Sequence, residues 1–235
     1  MNDKNNIYFT TGAIIIAGAL IASAVIYTAK MTPNSQTASI TQDEEKSDSV
    51  WDIIKPVSEN DYILGNPNAE LTLIGYFDIN CGHCRNFHKT MHQIMDEYGK
   101  DGKLKWVPKH FPLSQFSQKE AVAVECVGEI GGDEKFWKFL DNILQAPMLS
   151  QGNLENELAS MASSIGIENE KFKKCLADTK QIEKVNAMGQ EAISMGAQGT
   201  PFNVLIDSED NATVIPGALT YEQVKQLIDS TLSGE

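Results

Sequence analysis

The chain has 235 residues, enough for one sizeable domain with an appendage, and 42% of them are hydrophobic, enough to form a packed core. It carries 32 acidic residues against 19 basic ones, a formal net charge of -13. Such a surface repels phosphate backbones and no clustered Lys/Arg run offsets it, which sets nucleic acid aside as a partner.

From Ile7 to Ala29 no charged residue appears. A bilayer core about 30 Å thick needs roughly 20 apolar residues at helical rise, so residues 1–30 are expected to form a single transmembrane anchor. A cleaved secretory signal, with Ala22-Ser23-Ala24 as the small-residue site, is the rival reading. The apolar character continues past that site through Val25, Ile26 and Tyr27, which favours the anchor. Lys4 and Lys30 flank the run on its two sides, so positive charge does not orient it. With the N-terminus inside, the main domain lies outside the cytosol, at the surface or in the periplasm of a bacterial cell. Residues 31–57 read as a flexible linker, because Met31 to Ser49 offers almost no large apolar side chain to bury.

Beyond the linker the pattern turns globular. Leu71 to Phe77 is a short apolar run of buried-strand type. It leads into Cys81-Gly82-His83-Cys84, after which Phe87, Met91, Ile94, Met95 and Tyr98 recur at helical spacing until Gly99. Lys103 to Phe111 reads as a second strand, with Pro108 at an edge or a bulge. Helices are then expected over Lys119–Ile130, Asp133–Gln145, Asn153–Ile165, Asn169–Asp178 and Gln181–Met195. Strand character returns at Pro201–Ile206 and Thr213–Pro216, and Tyr221–Leu232 closes the chain as an amphipathic helix. The order predicts an α/β domain over residues 58–235, interrupted by an all-helical insertion at about 114–196.

A Cys-x-x-Cys between a strand and a helix is what disulfide exchange needs. Cys81 falls at the helix N-terminus, where unpaired amides and the macrodipole stabilise a thiolate. The two-residue spacer lets Cys84 resolve the mixed disulfide formed at Cys81, and the His83 imidazole can stabilise the reduced state. Two other readings compete. A structural bridge at this spacing closes too short a loop to add much stability. A zinc site could recruit His88 and His92, at helical spacing from Cys84, but zinc ribbons bring a second close Cys pair, and histidines so spaced usually face solvent. No metal ligand and no cofactor is assigned.

These motifs resemble the DsbA-like branch of the thioredoxin superfamily. The matching residues run through Gly65–Ala69, Phe77-Asp78, Cys81–Cys84, Gly102-Lys103, Phe111–Leu113, Lys135–Trp137, Lys171-Phe172 and Cys175-Leu176 to Gly199-Thr200-Pro201, and cover residues 58–235. The resemblance implies a thioredoxin fold with a helical insertion. It also implies a cis bond before Pro201, packed on the sulfurs, with Gly199 and Thr200 presenting backbone to a substrate strand. It further implies reduced or unfolded protein substrates and a quinone-linked membrane oxidoreductase as recycling partner. Cys126 and Cys175, which have counterparts in relatives, are expected to form a structural disulfide, with buried free thiols as the alternative. Two departures stand out. The position six residues before Cys81, often a buried carboxylate in the family, is Gly75, leaving Asp78 or water to take its place. The dipeptide between the cysteines is Gly-His rather than Pro-His, which leaves an isomerase or reductase as the runner-up to a dithiol oxidase. A metal-binding envelope protein and a non-catalytic chaperone are the readings from other classes.

Overall fold

The computed structural model describes residues 54, 57, 58 and 60–234. The anchor expected over 1–30 lies outside them, as does nearly all of the linker expected over 31–57. Among the described residues no helix is long and apolar enough to cross a membrane.

Five strands form one sheet in the order β1-β3-β2-β4-β5. They are β1 (Leu64–Gly65), β2 (Leu71–Phe77), β3 (Leu104–His110), β4 (Phe202–Ile206) and β5 (Ala212–Pro216). Central β2 runs parallel to β3, with Leu73 opposite Trp106, and antiparallel to β4, with Gly75 opposite Asn203. Every residue of β2 is buried. That is why its sequence is an unbroken apolar run rather than an alternating one: both sheet faces are covered. Leu71, Leu73 and Phe77 join the larger core, while Ile74 and Tyr76 join a second core on the opposite face. Pro108 pairs opposite Gly75 on β2 and lies beyond the two residues that β1 pairs with on β3. Its missing N–H therefore costs no bond to β1, although the residue is buried.

Among the described residues six helices accompany the sheet: α1 (Gly82–Ile94, extended by a π turn over Met95–Gly99), α2 (Gln115–Gln145), α3 (Leu154–Ser164), α4 (Asn169–Leu176), α5 (Thr179–Ser194) and α6 (Tyr221–Ser233). The α1 residues Phe87, Met91 and Ile94 pack on the larger core with Val224 and Ile228 of α6. Ala192 of α5 closes the second core, followed by Met195 just past the helix end. The block from α2 to α5 lies between β3 and β4 in the chain.

One boundary differs from the sequence reading, and one expected break is met. The first helix of the block starts at Gln115 rather than Lys119, because the Ser114 hydroxyl accepts from the Ser117 amide at 3.1 Å and caps it there. The break expected between two helices near residue 131 is a single residue, Gly132, at φ 73° and ψ -172°. A side chain is disfavoured in that backbone region, so glycine forms the junction at which two helices of α2 meet across a kink.

Candidate functional site

The site lies where β2 runs out and α1 begins. Cys81 is the N-cap residue of α1, in extended conformation, and no side chain makes a full capping hydrogen bond there. The amides of His83 and Cys84 are turned instead toward the Cys81 sulfur. A thiolate on Cys81 would therefore accept the bonds that a Ser or Asp oxygen accepts at an ordinary N-cap. The Cys81 thiol donates to the carbonyl of Thr200 at 3.4 Å.

The two thiols are free in this structure and differ in burial, Cys81 being partly exposed and Cys84 buried. At Cys81, burial opposes ionisation, but the Thr200 hydroxyl and the amides of Cys84 and His83 together outweigh it and lower the pKa. At Cys84, burial dominates and pushes the thiol up to about 12. The buried Thr200 hydroxyl has no partner of full hydrogen-bond geometry, yet it adjoins both sulfurs and favours thiolate on either. The His83 ring is exposed, so this residue meets the sulfur through its backbone rather than its imidazole.

The Thr200–Pro201 bond is cis. It places Pro201, with Gly75, Cys84 and Trp106, on the wall of a small cavity of about 20 Å³ beneath the buried sulfur. Gly199 and Thr200 are half-buried and, with Phe202, Val214 and Pro216, border an open groove beside the site. Cys126 of α2 and Cys175 of α4 are joined by a disulfide, 49 residues apart in sequence, within the helical block.

Gly75 leaves no carboxylate under Cys84. A Cβ there would stand 3.1 Å from the Asn203 Oδ1 and 3.3 Å from the Trp106 Nε1, both buried and unpartnered. Asp78, the nearest carboxylate in sequence, is engaged elsewhere: its two oxygens accept from the amides of Asn80 and Leu113, each at 2.7 Å. It holds the loop that presents Cys81.

Residues that pattern reading did not single out build the rest of this loop. Asn80 donates from its side chain to Ser117 at 3.3 Å and to Glu120. Glu120 is fully buried, and burial, with the Asp78 charge adding and the Asn80 bond opposing, pushes its carboxyl up to about 7. Arg85 bonds the carbonyls of Ile79 at 2.9 Å, Leu144 at 3.0 Å and Ala146 at 2.6 Å, tying the first turn of α1 to the end of α2. A polar residue inside a helix pattern reads as solvent-facing, and only the tertiary fold reveals that these two are not.

A sheet of this order, with Cys-x-x-Cys opening the helix after β2 and a cis-proline loop against it, is the arrangement of the thioredoxin superfamily. A family model described as Thioredoxin matches residues 57–230, and the chain belongs to that family. A protein of Rickettsia bellii, provisionally named a protein-disulfide oxidoreductase, is 30% identical over 134 residues, 56% of this chain and 51% of that one. The Na(+)/H(+) antiporter NhaA of Herminiimonas arsenicoxydans is 31% identical over 144 residues, 61% of this chain but 22% of that one. The first of these shows that the chain spans about half the length of the relative it matches. Among solved structures, alpha-DsbA1 of Wolbachia pipientis superposes with a TM-score of 0.70 at 23% identity, over 79% of this chain and 97% of that one. At that identity the likeness is one of fold.

Proposed function

We propose that the chain is a thiol–disulfide oxidoreductase of DsbA type that works outside the cytosol as a dithiol oxidase on reduced or unfolded proteins. The observation that carries this reading is the opposed ionisation of the two thiols, lowered at Cys81 and pushed up to about 12 at Cys84. In the oxidised form the two are bonded, and the exposure seen with free thiols, Cys81 partly open and Cys84 buried, directs attack to Cys81. A substrate thiolate attacks the Cys81 sulfur, the Cys81–Cys84 bond breaks, and Cys84 leaves and takes up a proton. Because Cys84 then stays protonated near neutral pH, it does not readily attack back. The substrate's second thiolate attacks its own sulfur in the mixed disulfide and releases Cys81 as a stabilised thiolate. The substrate loses two electrons and two protons; the cysteine pair gains the electrons.

Several residues take supporting roles in this reading. Gly199, Thr200 and Pro201 border the groove in which a substrate segment would lie. His83 supplies its amide to the thiolate and an exposed ring to the substrate. The Cys126–Cys175 bridge braces the helical block. Residues 1–30 anchor the domain, residues 31–57 give it reach, and residues 58–235 form the catalytic unit. Reoxidation falls to a quinone-linked membrane oxidoreductase. Thiol trapping of the full chain in intact cells tests the reading: Cys81 is expected to be oxidised at steady state, and a reduced pair would favour the reductase instead.

A further inference from the structure

Three side chains away from the cysteines converge on one point. His88 and His92 stand one turn apart on α1, and Asp141 faces them from α2. The Nε2 of His88 lies 2.7 Å from the Oδ1 of Asp141, the Nε2 of His92 lies 2.9 Å from the same oxygen, and the two ring nitrogens are 3.1 Å apart. His88, expected to face solvent, is buried at 5% exposure, while His92 and Asp141 keep 37% and 30% of their side-chain surface open. Trp106 packs its ring against both imidazoles, at 5.1 and 5.8 Å between centroids, and fixes their orientation.

We propose that the Nε2 atoms of His88 and His92 and the Oδ1 of Asp141 form a three-ligand site for a divalent transition-metal cation of the zinc type. The geometry carries this. Donors held about 2.0–2.1 Å from a cation are about 3.3 Å apart in a tetrahedral shell and about 2.9 Å in an octahedral one. The observed triangle, with edges of 2.7 to 3.1 Å, needs to open by only a few tenths of an ångström. All three donor atoms already converge, two ring nitrogens on one carboxylate oxygen and within 3.1 Å of each other. Two imidazoles and one carboxylate are a donor set that binds zinc with a coordination position left over. The exposed sides of His92 and Asp141 give that position, and an entering cation, access to water. The ligands sit on two packed helices, so little ordering is needed on binding. Neither catalytic cysteine belongs to the set.

The test uses the full chain with Cys81 and Cys84 oxidised, or changed to Cys81→Ser/Cys84→Ser, so that no thiolate competes. Titration with Co2+, then displacement by Zn2+, is expected to give one cation per chain and a cobalt spectrum without a thiolate charge-transfer band. His92→Ala and Asp141→Asn, both at partly open positions, are each expected to weaken binding at least tenfold. Zn2+ protection of His92 from carbethoxylation, with exposed His83 as the unprotected control, reads the same site without any substitution. Absence of saturable binding, or binding unchanged in both variants, would overturn the proposal. Because the thiols are closed throughout, this outcome is independent of whether the chain is an oxidase.

Discussion

The Cys81 sulfur lies 3.4 Å from the carbonyl oxygen of Thr200, a residue 119 positions away in sequence. The same residue brings its buried hydroxyl to both sulfurs. The loop before β4 thereby sets the ionisation of a cysteine that opens α1, and the strand pairing of β2 with β4 is what brings the two together.

Thr200→Val keeps the shape of the side chain and removes that hydroxyl. That hydroxyl favours the thiolate, so the Cys81 pKa is expected to rise. The disulfide should become less oxidising. The pH dependence of Cys81 alkylation reads the first effect. An unchanged profile would remove Thr200 from the thiolate's environment.

The Cys126–Cys175 bridge closes a loop of 49 residues within the helical block. In the chain-entropy model such a loop is worth about 4 kcal/mol before strain. Cys126→Ala/Cys175→Ala should therefore lower the denaturation midpoint strongly while leaving the alkylation rate of Cys81 unchanged. A change in Cys81 reactivity at full stability would assign this pair a redox role instead.

Glu120 carries a folded pKa pushed up to about 7 from an ordinary 4.5. The folded state thus holds this proton more tightly than the unfolded chain does. The resulting stability is fully present below about 4.5 and is lost as pH rises through 7. Glu120→Gln is expected to raise stability at pH 8 by on the order of 1–2 kcal/mol and to change little at pH 4. Urea denaturation at the two pH values checks this. Equal destabilisation at both would mean that the carboxyl is needed for its shape and not merely tolerated.

Much of this was readable before any coordinates. The unbroken run Leu71–Phe77 reads as a buried strand, and the Cys-x-x-Cys after it marks the start of a helix, because both signals are local. Strand β1 has only Leu64 and Gly65, too few for any period to register, and it exists through its pairing with Trp106 and Lys105. Glu120, Arg85 and His88 carry polar side chains in helices, where the default is solvent. Each is buried or tied inward by a partner at least 40 residues away, Asn80 for Glu120, Leu144 and Ala146 for Arg85 and Asp141 for His88. Such partnerships depend on how α1 and α2 pack, which no window along the chain encodes. Gly75 works the other way: the resemblance marks it as the position where relatives often carry a carboxylate, and the structure adds that Asp78 is already committed to two backbone amides.

The central claim, that the Cys81–Cys84 pair is built to give up its disulfide, is tested most directly by equilibrating the full chain against glutathione and measuring its reduction potential. Stabilisation of the Cys81 thiolate by Thr200 and by the amides at the start of α1 favours the reduced form, and about 1.4 kcal/mol of such preference raises the potential by about 30 mV. The account predicts a value distinctly less negative than about -270 mV, the potential of thioredoxin. A value at or below that figure would contradict it and make the chain a reductant.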